Sequence, residues 1–389
     1  MIRRILGLST FLALLASVSL AASPSTRKGE KIADPKESPR IQLAILLDTS
    51  NSMDGLINQA RTQLWKIVNE LANTKRDGCA PHLEVALYEY GNDSLSAESL
   101  HIRRAICFTD DLDRVSEELF ALTTNGGQEY CGAVIGKSID QLDWSPSGDD
   151  LKMIVIAGNE PFSQGPVDFH ESCSESISKG ITITTIFCGQ EQVGIDTGWK
   201  EGAELAEGSY LFIDQNEPIV SIPTPFDDQL SRLSIQINNT FLFYGDQKAA
   251  NEAVERQAAQ DENALSAAPA AAAERAQFKA SAQYQRASRD LIDALASDSV
   301  KLEDIKPEEL PAPLRKLSHE EQLKFIKTKR EERQRIQKEI QTLTRQRQEF
   351  LAKANEKTGD ESANTLDTAV LQAVRQQAGR KQFTPPAAQ

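Results

Sequence analysis

The stretch "LAILLDTSNSMDG", residues 43–55, decides the fold. Its first five residues are apolar, and a carboxylate and two hydroxyls then follow at every second position: Asp48, Ser50 and Ser52. Directly afterwards, apolar residues recur at helical spacing at positions 56, 60, 64, 67, 68 and 71. A buried strand that runs straight into an amphipathic helix is the first half of a βαβ unit.

The same alternation continues to about residue 245. Apolar runs predict six strands at 42–47, 83–90, 102–108, 151–157, 181–187 and 210–213. Helical patterns lie at 54–73, 112–122, 130–142, 167–178, 199–207 and 226–240. Only a polar loop separates the second strand from the third, which indicates a hairpin and an antiparallel edge strand. The predicted fold class is therefore α/β: a mostly parallel, Rossmann-like six-stranded sheet with helices on both faces, followed by a mainly helical C-terminal region.

The oxygen-rich turn predicts a cation site. Ligands of open α/β sheets bind at the carboxyl ends of central strands. An extended turn directs Asp48, Ser50 and Ser52 toward one point, and their hard oxygen donors suit Mg²⁺, Mn²⁺ or Ca²⁺ better than zinc or copper. The alternative is purely structural, with Ser50 or Ser52 capping the helix that begins near Asp54.

The pattern D-x-S-x-S after an apolar strand resembles the metal-ion-dependent adhesion site of von Willebrand factor type A (vWA) domains, and the resemblance covers residues 41–245. It implies non-enzymatic, cation-dependent binding of a protein partner that offers an acidic side chain. The resemblance also requires two further loops. In "TTNGGQEYCG" the family's threonine position falls near Glu129, with Thr124 upstream, and in "IAGNE" Asn159 replaces the family's aspartate. The expected ligand set is Asp48, Ser50, Ser52, Thr124, Glu129 and Asn159. For Glu129 a second interpretation stays open, a carboxylate in the first turn of the next helix.

The N-terminus predicts export. Arg3 and Arg4 precede a short apolar run and small residues, which is typical of a signal peptide over residues 1–22, followed by a polar linker over 23–39. An uncleaved membrane anchor is the alternative. We expect a periplasmic or extracellular protein, and in that compartment some of the five cysteines are expected to form disulfides of unknown pairing: Cys79, Cys107, Cys131, Cys173 and Cys188.

Composition changes after residue 245. Residues 246–317 are Ala- and Gln-rich with several prolines, 318–355 are densely charged, and 356–389 are predicted to be a mostly flexible tail. The residues that approximate a seam are Ile326, Ile336, Ile340, Leu343 and Phe350, and Lys329, Arg333 and Arg347 interrupt it. The charged segment is therefore a solvated helix or a weak coiled coil. A coiled coil allows self-association, and hence a scaffold role as the alternative function.

Other function classes find little support. The net charge of −14 argues against nucleic-acid binding. The four histidines do not stand in a Ser-His-Asp context, and G-x-S-x-G, Walker A and H-E-x-x-H are absent from the sequence. Because a bound cation can polarise a phosphoryl group, a metal-dependent hydrolase is the enzymatic alternative.

Overall fold

A computed structural model describes residues 38–216, 222–287, 290–358 and 365–384. The predicted signal peptide and nearly all of the predicted linker lie outside these residues. Both remain predictions.

Six strands form one sheet in the order β3-β2-β1-β4-β5-β6. They are β1 (Arg40–Asp48), β2 (His82–Tyr90), β3 (Ile102–Thr109), β4 (Leu151–Gly158), β5 (Thr182–Cys188) and β6 (Tyr210–Ile213). All neighbours are parallel except β2 and β3, so the predicted antiparallel edge strand is confirmed. The chain proceeds from β1 to β2 on one side and later to β4 on the other. The carboxyl end of β1 therefore lies at the point where the strand order reverses.

Helices cover both faces of the sheet. The first seven are α1 (Asp54–Asn73), α2 (Leu112–Ala121), α3 (Cys131–Gln141), α4 (Phe169–Ser178), α5 (Glu191–Asp196), α6 (Trp199–Leu205) and α7 (Asp227–Asn238). Along β1, Leu43 and Leu47 pack into the core beneath α1 and α2, whereas Ala44 and Leu46 pack into the core beneath α3 and α4. Successive strand residues face opposite sides, so a strand covered twice must be apolar throughout.

Six more helices follow: α8 (Gln247–Ala267), α9 (Pro269–Lys279), α10 (Ala282–Ala287), α11 (Leu291–Ala296), α12 (His319–Thr358) and α13 (Leu366–Arg380). They do not form a separate body, because the core under α1 also contains residues of α9, α12 and α13. Trp65 of α1 and Phe278 of α9, for example, have ring centroids 5.4 Å apart. Residue 245 thus marks a change of composition within one compact unit.

Two expectations about the C-terminal region are wrong. Most of the seam of α12 is buried inside this chain: Ile336, Ile340 and Leu343 join the core beside α7 and α9, and Ile326 lies in a smaller core, whereas Phe350 is 40% exposed. The buried part of the seam is neither solvated nor free to form a coiled coil. The two arginines that interrupt the seam are buried with it and form ion pairs with acidic residues of other elements.

The tail predicted for residues 356–389 contains α13, which packs on α1 and on the sheet. Leu366, Val370 and Val374 lie one helical turn apart and are buried there. Their spacing gives the helix an apolar face, and the core covers it.

The expectation of disulfides is also wrong, because all five cysteines are free. Cys131 and Cys173 are buried in the core on one side of the sheet and Cys188 in the core on the other, so these thiols act as small apolar side chains. Cys79 and Cys107 are exposed. Among the described residues, no helix is both long enough and apolar enough to cross a membrane.

Candidate metal centre

Asp48 is the last residue of β1, and its side chain is fully buried. Its Oδ1 accepts a 2.7 Å hydrogen bond from the backbone N–H of Ser50, which closes the turn after the strand. Its Oδ2 is also buried and has no hydrogen-bond partner in the described part of the chain. One carboxylate oxygen therefore holds the turn, while the other is left for a ligand.

Ser50 and Ser52 follow on the same turn, with their hydroxyl oxygens 3.3 Å apart. Ser50 occupies the N-cap position of a short 3-10 helix, Asn51–Met53, but its hydroxyl makes no capping hydrogen bond. The N-cap of α1 is Met53, again without a side-chain cap. The capping interpretation of the two serines is therefore wrong, and both hydroxyls stay available at the turn.

Asn159 follows β4, the strand next to β1. Its Nδ2 donates to the Ser52 hydroxyl at 3.1 Å, and its Oδ1 is a buried atom without a hydrogen-bond partner among the described residues. The structure thus brings the third loop to the serine turn. The amide supplies a neutral oxygen where the vWA pattern has a carboxylate.

Glu129 lies two residues before α3 and is 4% exposed. Its carboxyl group is within hydrogen-bonding reach of Asp48 and Ser50. Its backbone N–H donates to Gln164 Oε1 at 2.7 Å, which ties the second loop to the third. Glu129 is therefore not a first-turn residue of the helix, and that interpretation is wrong; it belongs to the cluster around Asp48.

Thr124 does not join the cluster in this structure. Its hydroxyl donates to the carboxylate of Asp54, at the start of α1. The surrounding loop is held by backbone bonds from Asn125 N–H to Thr49 O, 3.0 Å, and from Asn51 N–H to Gly126 O, 2.9 Å. These bonds fix the loop so that Glu129, five residues further on, is the side chain that reaches Asp48.

Two glycines that the sequence reasoning did not single out allow the carboxylates to approach. A Cβ at Gly91 would lie 2.6 Å from Glu129 Cγ and 2.9 Å from Asp48 Oδ1, and its φ of +80° also favours glycine. A Cβ at Gly158 would lie 2.5 Å from the Tyr90 hydroxyl and 3.1 Å from Asp48 Oδ2. In the sequence, Gly91 directly follows β2 and Gly158 ends β4. Glycines at these strand ends are the signal that indicates close packing at this edge of the sheet.

Burial and mutual repulsion dominate the electrostatics of the cluster. Burial raises the pKa of Asp48 to about 6, and the nearby carboxylate of Glu160 adds to the shift. Burial, and then the charge of Asp48, raise the pKa of Glu129 to about 9. No salt bridge of the described residues links Asp48, Glu129 or Glu160 to a lysine or arginine. At neutral pH the pair therefore keeps a proton unless a cation replaces it.

The donors fit a hard divalent ion. In the described ranges no group of three or more His, Cys, Asp or Glu side chains could hold a metal, so a cation must also use hydroxyl and amide oxygens. The partnerless atoms here are Asp48 Oδ2, Glu129 Oε2 and Asn159 Oδ1. Buried polar atoms are nearly always paired, so these three oxygens around one turn fit a ligand with positive charge, which would replace the proton that Asp48 and Glu129 otherwise keep.

Most of the aromatic residues near these loops belong to the hydrophobic core. Tyr88, Tyr90, Phe162 and Trp199 are fully buried in the core beneath the loops. The Tyr90 hydroxyl donates to Ala157 O at 3.0 Å, beside Asp48. Tyr130 alone of the five aromatics near these loops is partly exposed.

Comparison with known proteins finds only distant structural similarity. No family model matches the chain, and no curated protein matches its sequence. Among solved structures, proximal thread matrix protein 1 from the mussel byssus is similar at 14% identity and a TM-score of 0.34, over 45% of this chain and 42% of that one. The chain thus spans less than half of the mussel protein.

Two further structures are similar at the same level. BatB from Bacteroides thetaiotaomicron has 12% identity and a TM-score of 0.35, over 57% of this chain and 99% of that one. The VWA domain of SpRpn10 has 15% identity and a TM-score of 0.33, over 48% and 90%. The strand order and the single antiparallel edge strand by themselves show the Rossmann-like six-stranded α/β fold that the sequence predicts.

Proposed function

We propose that this chain binds a protein partner through a divalent cation held at the carboxyl edge of its sheet. The observation that carries the proposal is the pair of buried carboxylates, Asp48 and Glu129, which face each other without a positive charge. Burying charge without a partner is costly, and such sites persist where a ligand supplies the counter-charge.

Each residue of the cluster has a distinct role in this proposal. Asp48 and Glu129 supply the negative charge, Ser50 and Ser52 supply neutral oxygens, and Asn159 orients Ser52 through the 3.1 Å hydrogen bond. Mg²⁺, Mn²⁺ or Ca²⁺ bound by these few oxygens would retain open positions, which a carboxylate of the partner can occupy. Thr124 is left out, because its hydroxyl is engaged by Asp54.

We further propose that the role is binding rather than catalysis. General acid–base chemistry needs a group that can exchange a proton with the reacting atom, and histidine is the usual choice. In the described structure none of the hydrogen bonds of Asp48, Ser50, Ser52 or Asn159 involves a histidine. Location in the cell envelope remains a prediction from the N-terminal sequence.

The scaffold alternative has lost its main support. It required a free seam on the charged helix, and the seam residues Ile336 and Ile340 are buried within this chain.

Titration calorimetry tests the proposal directly. Mg²⁺, Mn²⁺ and Ca²⁺ are titrated into the full chain, into Asp48→Ala and into Thr124→Ala. We expect binding by the wild type and by Thr124→Ala, and loss of binding in Asp48→Ala. Circular dichroism of Asp48→Ala checks that the variant is folded. Absence of binding by the wild type for all three cations would remove the metal site, and loss of binding in Thr124→Ala would refute the assigned ligand set.

A further inference from the structure

The loops at the carboxyl edge of the sheet contain no lysine and no arginine. We define the carboxyl-edge loops as residues 49–54, 91–101, 122–130, 159–168, 189–198 and 214–216. They carry nine carboxylates: Asp54, Asp93, Glu98, Glu129, Glu160, Asp168, Glu191, Asp196 and Asp214. With Asp48 at the end of β1, this edge of the sheet is uniformly acidic.

The opposite edge is mixed. There Lys75, Arg76 and Lys179 lie among acidic residues such as Asp143 and Asp149. The contrast shows that the acidic edge is not simply a result of the overall charge of −14. It is confined to the end of the sheet that carries the candidate metal centre.

Two cations on the neighbouring helices reach this region but are engaged by backbone. Lys137 of α3 donates to the carbonyl of Ser99. Arg61 of α1 donates to the carbonyls of three residues at the end of α2: Leu119, Phe120 and Leu122. Both hold neighbouring backbone in place, and neither forms a salt bridge with a loop carboxylate within the described ranges; the basic side chains that lie within 4 Å of loop carboxylates there are His101, beside Asp93, and His170, beside Asp168.

A second observation points to a ligand at this surface. Asp48 and Glu129 are at least 96% buried, and each has one carboxylate oxygen without a hydrogen-bond partner among the described residues. A divalent cation offsets the charge of these two side chains. The other eight carboxylates named above remain, and Asp54, Asp93, Glu98, Asp168, Glu191, Asp196 and Asp214 among them are exposed.

We propose that the partner surface is basic: one carboxylate that reaches the cation, surrounded by lysines and arginines that face the carboxyl-edge loops. This inference rests on the proposed function and names its partner class. A lone carboxylate approaching this edge is repelled by the exposed acidic side chains, whereas flanking cations convert the repulsion into attraction and speed association. A partner with an acidic surround is excluded by the same charges.

Synthetic peptides test the inference on the full chain. The probes are KKGDGKK, its asparagine form KKGNGKK and the acidic form EEGDGEE, each labelled and followed by fluorescence anisotropy in Mg²⁺. We expect KKGDGKK to bind at least about ten-fold more tightly than EEGDGEE, with the difference shrinking in about 0.5 M NaCl because salt screens exposed charges. KKGNGKK should bind more weakly than KKGDGKK in Mg²⁺ and equally in EDTA.

Two matched charge-reversal variants test whether the carboxyl-edge loops are responsible for binding of the basic peptide. Glu98→Lys/Glu191→Lys changes two exposed carboxylates of the carboxyl-edge loops, and Asp143→Lys/Asp149→Lys makes the same charge change at the opposite edge. We expect the first variant to weaken KKGDGKK binding about three-fold or more and the second to leave it nearly unchanged. Equal weakening in both variants would mean that net charge is responsible, and would overturn the inference.

The remaining outcomes separate this inference from the proposed function. If Mg²⁺ binds by calorimetry but EEGDGEE binds as tightly as KKGDGKK, the inference fails and the metal site stands. If none of the cations binds, the proposed function fails and the inference falls with it.

Discussion

Buried charge is treated in opposite ways in two regions of this molecule. In the helical layer, Arg275 is fully buried and pairs with Asp113 at 2.5 Å and with Asp261 at 2.6 Å. Lys279, also fully buried, lies 2.9 Å from Asp261. At the carboxyl edge of the sheet, Asp48 and Glu129 are equally buried and face each other without a cation. The chain neutralises its own charges where they hold helices together and leaves an excess of negative charge at the proposed cation site.

The pKa values follow this division. Burial by itself would raise the pKa of Asp261, but Arg275 and Lys279 hold it below its ordinary value. Burial raises the pKa of Asp48 and of Glu129, and the nearest charges raise the latter further. In the helical layer, basic side chains offset the cost of burying the carboxylates. At the carboxyl edge of the sheet a bound proton offsets this cost, and the proposed cation would do the same.

The largest expected effect lies in the helical layer. Arg275→Met leaves Asp113 and Asp261 buried without their main partner, which should lower the free energy of unfolding by about 3–5 kcal/mol. Urea unfolding measures it. Arg375→Met, which removes an exposed pair with Glu70, is the control and should cost at most about 1 kcal/mol. Equal losses would show that burial does not distinguish the two pairs.

The next effect belongs to the metal centre. Mg²⁺ at about 100 times its dissociation constant should stabilise the wild type by about 2.7 kcal/mol, because the ion binds the folded state only. Thermal unfolding at pH 8 with and without Mg²⁺ measures the shift. Asp48→Ala should show none of it, whereas Arg375→Met should show all of it. A shift that persists in Asp48→Ala would place the cation elsewhere.

The pH dependence of the metal-free protein should have a definite sign. Because the folded-state pKa of Glu129 is raised from 4.5 to about 9, the folded state binds more protons than the unfolded state between these values. Stability is therefore fully present below pH 4.5 and declines as the pH rises toward 9. We expect a loss of at least about 1.4 kcal/mol from pH 5 to pH 8 in EDTA, the equivalent of one pKa unit.

Glu129→Gln is the variant for this experiment. Without an ionisable group at this position, urea unfolding in EDTA should show a flatter profile between pH 5 and pH 8. A wild-type profile that rises with pH would contradict the assignment.

The smallest expected effect concerns Glu89, a buried carboxylate near the same edge of the sheet that does have a cationic partner. Glu89 is 4% exposed and lies beside the turn, where it pairs with Arg103 and accepts from the Thr49 hydroxyl at 3.2 Å. Arg103→Met should cost about 1 kcal/mol, since Arg103 is 41% exposed and water partly replaces it. Magnesium affinity, measured by calorimetry, should stay within about two-fold, because Glu89 is not in the proposed ligand set.

Local pattern was enough to predict the sheet, the edge strand and the serine turn, because each of these depends on residues within one element. Asn159 followed from the resemblance to vWA domains, which implies a ligand after this strand. Thr124 lies outside the cluster in this structure, because backbone hydrogen bonds hold its loop against the serine turn, and such bonds leave no trace in the sequence.

Ion pairs between residues far apart in the chain could not be predicted from the sequence. Arg275 finds Asp113 across 162 positions, and no periodicity indicates such a partner. Arg333 and Arg347 therefore look like interruptions of a seam, although ion pairs with Asp290 and Asp227 let them enter the core. The apolar face of α13 was missed for the same reason: it becomes a core face only after the chain has returned to the sheet.

The packing of α13 back onto the first half of the chain has a consequence for folding. The backbone N–H of Leu366 bonds to Gln59, 307 positions away, and α13 helps to cover the sheet that β1 begins. During synthesis the apolar surface that α13 covers stays exposed until α13 has emerged from the ribosome. Contacts of such separation slow folding and prolong the exposure of sticky intermediates. A ribosome stalled before residue 366 would hold a chain in which the surface of α1 that α13 covers is still exposed.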